Sequence, residues 1–233
     1  IATAINEIKT DWIITLDADC VVPVNWITAY AQYIDKHDVS MVIGPVTYSI
    51  EKNFLESFQL IDFLSLQLTT IGTYGLGNPI LCNGANLAYT KKAFLNVNGF
   101  SGNDKIASGD DVFLLDKIYI ENARSVGLIK SRRTRVTTFP EYSVKALMQQ
   151  RIRWAGKSTA SKNKLTKVIG IIVLMSNLSF LACELFFAIH HCFLFLALAV
   201  LKIVFDVLYF IVIGSYYKQH IAFFYIFLSS VIY

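Results

Sequence analysis

The apolar character of its carboxyl-terminal part constrains the fold of this chain more than any other feature. The stretches Val168–Ile189 and Cys192–Tyr217 are almost free of polar residues. A helix needs roughly 20 apolar residues to cross a bilayer, and both stretches reach that length. We therefore predict transmembrane helices in residues 166–233, with two complete crossings joined by a short outer turn at His190–His191 and a third that begins at Ile221.

Positive charge is concentrated just before the first apolar stretch. Between Lys130 and Lys167 there are eleven lysines and arginines against one acid, Glu141. An excess of basic residues marks the cytoplasmic flanks of membrane helices, so we expect a multi-pass protein of the cell (inner) membrane whose preceding domain is cytoplasmic. Basic clusters also bind nucleic acid, but no nucleic-acid-binding motif accompanies this one. We therefore expect membrane lipids as partners and no nucleic acid.

Residues 1–165 alternate between strand-like and helix-like segments. The apolar run Trp12–Leu16 predicts a buried parallel strand, and Val39–Ile50 predicts a strand interrupted at Gly44-Pro45. Asn53–Thr70 has Phe and Leu at helical spacing and can lie on the sheet or on the membrane surface. The other predicted segments are the helices Val24–Asp35, Lys91–Val97, Asp110–Glu121 and Ser143–Gly156, the strands Ala85–Tyr89, Val126–Ile129 and Val136–Phe139, and a glycine-rich loop at Gly72–Pro79. This alternation predicts an α/β fold with a mostly parallel sheet.

Asp17 and Asp19 form the first of three short polar signatures. They follow the strand predicted at Trp12–Leu16, at its carboxyl end, where open α/β sheets bind ligands. Two carboxylates separated by one residue can present oxygens to Mg²⁺ or Mn²⁺, and such a cation can neutralise a diphosphate. The plain alternative is a pair of acids in a strand-end turn. The position at the strand end favours the metal interpretation.

The second signature is Gly109-Asp110-Asp111, which opens the predicted helix Asp110–Glu121. A carboxylate beside a sugar hydroxyl can accept its proton as the oxygen attacks, which is general base catalysis. The alternative is that the two acids only stabilise the start of the helix after Ser108, where the helix dipole favours negative charge. Asp116, further along the same helix, is expected to be solvated.

The third signature is Gln150-Arg151-Ile152-Arg153-Trp154. Gln150, Arg153 and Trp154 occupy one helical turn, so their side chains can face one pocket. An arginine can bind phosphate oxygens bidentately, and an indole can stack on a sugar ring. The alternative is a basic interfacial helix with a tryptophan at the lipid boundary.

A fourth polar stretch, Cys82-Asn83-Gly84-Ala85-Asn86, directly precedes a predicted strand. Its amides and its glycine are compatible with a plain turn. They can also line an acceptor site. The residues alone leave both interpretations open.

In this order, the stretches resemble the membrane-bound family-2 glycosyltransferases with a GT-A fold, including the cellulose- and hyaluronan-synthase-like branch. The stretches that match are Leu16–Cys20, Cys82–Tyr89, Ser108–Leu115 and Gln149–Ser158. Order and spacing together are far more specific than any single motif. The resemblance implies a Rossmann-like GT-A domain in residues 1–165, followed by transmembrane helices. The family's amino-terminal nucleotide-binding strands have no counterpart in the sequence, so we expect a fragment.

The resemblance also implies roles for the acids. Asp19 corresponds to the residue that binds the divalent metal, and Asp17 to one that contacts the nucleotide sugar or shares the metal. Asp111 stands where the family has its catalytic base. Asp110 replaces a glutamate that often precedes this base, and we expect it to contact donor or acceptor.

The remaining implied contacts are made by amide, guanidinium and indole groups. Gln150, Arg153 and Trp154 match the family's QxxRW signature, which holds the donor diphosphate and the acceptor end. The loop residues that match the acceptor-lining segment are Asn83, Gly84 and Asn86.

The resemblance implies an inverting hexosyl transfer from a UDP- or GDP-linked nucleotide sugar to a saccharide or lipid-linked acceptor at the cytoplasmic membrane face. One rival hypothesis is a metal-dependent nucleotidyl or sugar-phosphate transferase on a related fold. Another is a non-enzymatic membrane transport component that works through Glu184, Lys202 and Asp206, the ionisable residues inside the apolar stretches. Lys202 and Asp206 are four residues apart, so we expect them to pair on one helix face.

Overall fold

The computed structural model describes residues 2–49, 53–102, 109–160, 163–219 and 225–226. Its helices are α1 (Ala2–Glu7), α2 (Trp26–Ile34), α3 (Phe54–Gly75), α4 (Lys91–Asn96), α5 (Asp110–Glu121), α6 (Val144–Ala160), α7 (Lys164–His190) and α8 (Phe193–Tyr217). Its strands are β1 (Trp12–Thr15), β2 (Met41–Ile43), β3 (Val46–Tyr48), β4 (Leu87–Thr90), β5 (Val126–Leu128) and β6 (Val136–Thr138). The predicted α/β class followed by long apolar helices is confirmed.

The main sheet has four strands in the order β1-β4-β2-β5. β4 runs antiparallel to β1 and β2, and β2 runs parallel to β5. Three of the four strands therefore share one direction, and β4 is inserted between them in the opposite one. A second sheet consists of β3 paired in parallel with β6. Most strands of the main sheet therefore run in one direction, as predicted. The sheet as a whole is mixed, because both pairings of β4 are antiparallel.

The environment predicted for β1 was wrong. The strand pairs antiparallel with β4, and each of its four residues is only half-buried. β1 lies at one edge of the sheet as far as the described residues go, so one side of its backbone has no neighbouring strand there. A continuous apolar run does not by itself distinguish an edge strand from a central one.

Gly44-Pro45 divides the predicted segment Val39–Ile50 into two strands that belong to different sheets. A Cβ atom on Gly44 would lie 2.2 Å from the Tyr30 hydroxyl and 2.5 Å from the side chain of Asn86. Only glycine fits such a close approach. Ile50, at the end of the predicted strand, lies outside the described residues.

The core lies on both faces of the main sheet. One apolar cluster includes Val42 and Ala88 together with side chains of α2 and α3, and the other includes Ile43 and Leu87 together with side chains of α4 and α5. Neighbouring residues of a strand point to opposite faces, so each strand contributes to both clusters. The result is a sheet covered by helices on its two sides.

Helix α3 packs inside the domain rather than on a membrane surface. Leu60 and Leu64 are buried, and the helix contacts β3 and α8. It begins after Asn53, whose side-chain oxygen accepts a hydrogen bond from the Glu56 amide at 3.0 Å. The helix continues to Gly75, so the loop predicted at Gly72–Pro79 is shorter than expected. Glycine lowers helix stability by only about 1 kcal/mol relative to alanine, and packing overrides that preference.

Helices α7 and α8 are long and apolar enough to cross a membrane. They pack against each other and leave most of their other apolar side chains exposed. α7 ends at His190, and His191 adopts a left-handed conformation (φ 51°) at the predicted turn. Lys202 and Asp206 form the predicted ion pair at 2.6 Å. The predicted third crossing lies outside the described residues apart from positions 225–226.

The carboxyl end of α8 is anchored in the α/β domain. Tyr217 is buried, and its hydroxyl donates a hydrogen bond to Gln67 Oε1 of α3 at 2.8 Å. The Arg135 guanidinium donates to the carbonyl of Tyr217, and the Tyr209 hydroxyl donates to the carbonyl of Ser65 at 3.0 Å. Helix α8 is therefore tied directly to α3, and α7 packs against α8.

Candidate active site

The polar signatures meet at one cleft with a volume of about 1070 Å³. Its walls come from the ends of β1 and β6, the loop before β4, the start of α5, and one face each of α3 and α6. All but one of the predicted site residues line it: Asp17, Asp19, Asn83, Gly84, Asp110, Asp111, Gln150, Arg153 and Trp154. Groups more than 130 residues apart in the chain therefore share one cavity.

Asp17 and Asp19 lie in a tight turn directly after β1. The Cys20 amide donates a hydrogen bond to the carbonyl of Asp17 at 3.1 Å, which closes the turn. Both carboxylates are exposed, and one oxygen of each lies within 4.8 Å of the other and of the Cys20 sulfur. The Thr138 hydroxyl, at the end of β6, donates to Asp19 Oδ2 at 3.4 Å. The turn thus presents two carboxylates to the same part of the cleft.

The donor set at this turn fits a hard divalent cation. Mg²⁺ and Mn²⁺ prefer carboxylate oxygens, whereas thiolates prefer softer metals. Burial and the nearby charges of Asp19 and Asp17 raise the pKa of the Cys20 thiol to about 11, although a hydrogen bond with Thr138 opposes the rise. The thiol is therefore protonated at neutral pH. Asp17 and Asp19 are the residues that would hold a magnesium or manganese ion.

Asp111 connects the start of α5 to the loop before β4. Its Oδ2 accepts a hydrogen bond from the Gly84 amide at 3.0 Å, and its Oδ1 accepts one from the Val112 amide at 3.0 Å. Gly109 precedes the helix in a left-handed conformation (φ 102°) and offers no side-chain cap. The carboxylate is therefore fixed by two backbone amides while it lines the cleft. Such an orientation suits a group that must meet one particular hydroxyl.

The other two acids of α5 differ in environment. Asp110 is exposed and lines the cleft. Asp116 is buried, so the expectation that it is solvated was wrong. It lies one turn after Val112, on a helix face that is also buried. Ser108, which precedes this helix, lies outside the described residues.

Gln150 is oriented by a short hydrogen-bond chain. Its amide nitrogen donates to Glu141 Oε1 at 3.0 Å, and its amide oxygen accepts from Arg151 Nη1 at 3.1 Å. Glu141 is in turn fixed through its backbone, because its amide donates to Gln59 Oε1 at 2.8 Å and its carbonyl accepts from Gln59 Nε2 at 2.9 Å. Sequence reasoning used Glu141 only in counting charge, and nothing in its surroundings along the chain indicates this contact.

Arg153 and Trp154 are presented differently by α6. Arg153 belongs to the exposed face and lines the cleft, whereas Trp154 is half-buried. The Trp154 ring lies 6.2 Å from that of Phe63 on α3, tilted by 49°. This packing and the position in the cleft lining favour the pocket interpretation of Trp154 over the lipid-boundary alternative.

Besides Glu141, the sequence analysis missed two charged residues of the cleft, Asp62 and Arg151. Asp62 is buried on α3 and forms an ion pair with Arg151 on α6. The Arg151 guanidinium also lies 4.3 Å from the centre of the Trp154 ring. Tyr48 is close by, and burial raises its pKa to about 12 although the neighbouring Arg151 opposes the rise. The available signal was an acid flanked on both sides by large apolar residues in a predicted helix, since a buried acid needs a partner.

The prediction that Asn86 lines the acceptor side was wrong. Its side chain is fully buried behind the cleft. Oδ1 accepts hydrogen bonds from Trp26 Nε1 at 3.0 Å and the Tyr30 hydroxyl at 2.8 Å. Nδ2 donates to the carbonyls of Pro45 at 2.8 Å and Thr134 at 2.7 Å. All of its hydrogen-bonding capacity is used inside the protein, so it cannot contact a ligand.

Asn86→Ala is therefore expected to reduce stability. The substitution leaves the buried Trp26 indole N–H and the Thr134 carbonyl without their Asn86 partner, whereas the Tyr30 hydroxyl keeps the carbonyl of residue 86 at 3.4 Å and the Pro45 carbonyl keeps the Val136 amide at 3.0 Å. Each unsatisfied buried group typically costs about 1–3 kcal/mol. We expect the free energy of unfolding to fall by roughly 3 kcal/mol or more. Thermal denaturation of the detergent-solubilised protein measures this, with Asn83→Ala as the control. A variant as stable as the wild type would contradict the structural role.

The comparison with known families agrees with this architecture. The sequence profile described as "Glycosyl transferase family group 2" matches residues 12–231. The match covers the α/β domain from β1 onward and both membrane-length helices, so the chain belongs to the family-2 glycosyltransferases. No curated protein matches the chain. The family assignment made from the ordered signatures is confirmed, and with it the general activity of glycosyl transfer.

Proposed function

We propose that the protein is an inverting glycosyltransferase that moves a hexosyl group from a UDP- or GDP-linked donor to a saccharide or lipid-linked acceptor. The observation that carries the proposal is the convergence of Asp19, Asp111 and Trp154 on one cleft. Exposed carboxylates, an oriented carboxylate and an indole are the groups that a metal diphosphate, an attacking hydroxyl and a sugar ring require. The family match supports this proposal over a transport component.

Asp111 is the proposed general base. The acceptor hydroxyl attacks the anomeric carbon from the side opposite the leaving diphosphate, so a new carbon–oxygen bond forms there. The bond between the anomeric carbon and the diphosphate oxygen breaks, and its electron pair leaves with the diphosphate. The hydroxyl proton passes to the carboxylate of Asp111, which the amides of Gly84 and Val112 hold in place. Each donor molecule thus yields one nucleoside diphosphate and one inverted glycoside.

Residues on both sides of the cleft would hold the donor. Asp17 and Asp19 would bind Mg²⁺ or Mn²⁺, which when bound neutralises the charge of the leaving diphosphate. Arg153 would contact phosphate oxygens from the face of α6, because a guanidinium matches their geometry. Asn83 and Gly84 would line the acceptor side, and Trp154 would stack on a sugar ring. Asp110, exposed beside the base, would contact a hydroxyl of either substrate.

We also propose a division of the chain at residues 165–166, with the catalytic part in the cytoplasm and the rest in the cell (inner) membrane. Two observations support this arrangement. The residues flanking α7 on its amino-terminal side are strongly basic, as expected for a cytoplasmic flank. α7 begins directly after the α/β domain, and the end of α8 returns to that domain. The start of α7 and the end of α8 would therefore lie on the same side of the membrane.

Product analysis tests the proposed reaction. The purified protein, incubated with a panel of UDP- and GDP-sugars and a membrane extract as acceptor, is expected to release nucleoside diphosphate. We expect EDTA to abolish this release and Mg²⁺ or Mn²⁺ to restore it, because the carboxylates of Asp17 and Asp19 cannot neutralise a diphosphate themselves. Release of pyrophosphate would favour a nucleotidyl transferase instead. Undiminished activity in EDTA would contradict the role given to the two acids.

A further inference from the structure

We propose that Arg151, held by Asp62, is a positioning residue that orients both Gln150 and Trp154 in the cleft. The inference deepens the proposed function, since it assigns a role within the same site. Arg151 and Asp62 lie on different helices, α6 and α3, and are 89 positions apart in the chain. The pair therefore connects the helix that carries the third signature to the buried helix beneath it.

The ion pair anchors Arg151 to the core. The Asp62 side chain is only 5 % exposed, and that of Arg151 is 23 % exposed. A buried charge is costly unless an opposite charge accompanies it, so neither side chain can leave the other without a large penalty. The guanidinium is thereby confined to one place on the cleft wall.

Arg151 holds the indole of Trp154 through its ring face. The guanidinium carbon lies 4.3 Å from the ring centre, a distance at which a cation is attracted to the π system. Phe63, on the same helix as Asp62, contacts the indole at 6.2 Å between ring centres. The indole plane is therefore fixed by two residues, and one of them is itself fixed by an ion pair.

Arg151 also holds Gln150. Its Nη1 donates to Gln150 Oε1 at 3.1 Å, while Gln150 Nε2 donates to Glu141 at 3.0 Å. The amide of Gln150 is thus held from both ends. One guanidinium consequently sets the orientation of two of the three side chains in the third signature.

The ion pair with Asp62 makes Arg151 a poor direct ligand for a diphosphate. Its guanidinium is already paired with a carboxylate, so most of its attraction for a second anion is neutralised. Arg153, two positions along α6, belongs to the exposed face of the helix and lines the same cleft. The structure thus places Arg153 on the exposed face of α6, whereas Arg151 is paired with a buried carboxylate.

A double-mutant cycle tests the positioning role. Arg151→Gln and Trp154→Ala are each expected to lower kcat/KM by about tenfold or more, since small misplacements in an active site have effects of this size. Because Arg151 is proposed to act through both Gln150 and Trp154, the cycle is completed in a Gln150→Ala/Trp154→Ala background, where adding Arg151→Gln should slow the protein at most about threefold further. A further loss as large as that caused by Arg151→Gln in the wild type would overturn the proposal and make Arg151 a direct ligand. Arg151→Lys, which keeps the charge but not the planar stack, should fall between wild type and Arg151→Gln.

Tryptophan fluorescence gives a readout that does not depend on turnover. We expect Arg151→Gln and Asp62→Asn each to shift the tryptophan emission of the wild type in the same direction. Neither substitution should shift the emission of a Trp154→Phe variant. Arg124→Gln, an exposed arginine outside the cleft, should shift neither. Unchanged emission in Arg151→Gln or in Asp62→Asn would overturn the inference even in a stable, active protein. Absence of turnover with every donor would refute only the proposed function. The fluorescence comparison would still decide whether Arg151 orients Trp154.

Discussion

Replacing Asp111 by asparagine is expected to lower sugar transfer by at least about a hundredfold, the usual size of a general base contribution. The carboxylate is the proposed proton acceptor, and an amide cannot take up the proton. Asparagine has nearly the same shape, but only one of its side-chain atoms can accept a hydrogen bond. It therefore keeps one of the contacts from Gly84 and Val112 and loses the other. Binding of nucleoside diphosphate should change little, and calorimetry measures it separately from turnover.

The control for this substitution is Asp38→Asn. Asp38 is exposed in the connection between α2 and β2, away from the residues that line the cleft. We expect this variant to retain wild-type activity and stability. If Asp111→Asn transferred sugar at the wild-type rate with normal folding, Asp111 would not be the base.

Asp19→Asn is expected to lower activity by a similar factor, but here the loss should depend on the Mn²⁺ concentration. Loss of one carboxylate weakens the proposed cation site, and a poorly neutralised diphosphate leaves slowly. We expect a loss of roughly a hundredfold or more at limiting Mn²⁺, because electrostatic stabilisation of developing charge is usually a large contribution. Raising the Mn²⁺ concentration should recover part of the activity. Turnover measured across a Mn²⁺ titration makes the comparison.

Asp11→Asn provides a matched control at the opposite end of the same strand. Asp11 is exposed and precedes β1, whereas Asp19 follows it. The control variant should show the wild-type Mn²⁺ dependence. An Asp19→Asn protein whose activity at low Mn²⁺ equals that of the wild type would exclude Asp19 as a cation ligand.

Helix α5 shows why some elements could be predicted closely. Its observed bounds, Asp110–Glu121, are those expected from the sequence. Two acids at the start and an asparagine after the last helical residue are local signals that act within one turn. The apolar helices α7 and α8 were also placed within a few residues, because their length and composition stand out from the rest of the chain.

The sheet could be predicted less well, since strand pairing depends on distant residues. The direction of β4, opposite to both of its neighbours, leaves no mark in its own sequence. The edge position of β1 is likewise a property of the whole sheet. The contact of Tyr217 with Gln67, which brings the end of an apolar helix into the domain core, joins residues 150 positions apart.

In the candidate site, too, residues in short local motifs could be predicted, whereas those whose role depends on distant packing could not. Asp17, Asp19 and Asp111 were predicted because short motifs place them at the ends of elements. Asp62 and Arg151 were missed because their importance arises only when α3 and α6 pack together. Asn86 was misplaced for a related reason: its neighbours in sequence face the cleft, while its own side chain points to the core.

The anomeric configuration of the product tests the central claim most directly. NMR of the glycoside formed from an α-linked nucleotide sugar reports whether the new bond is made opposite the departing diphosphate. A single attack assisted by Asp111 predicts a β-linked product that forms in step with nucleoside diphosphate and is lost in Asp111→Asn. An α-linked product, or a product that Asp111→Asn still makes at the wild-type rate, would contradict it.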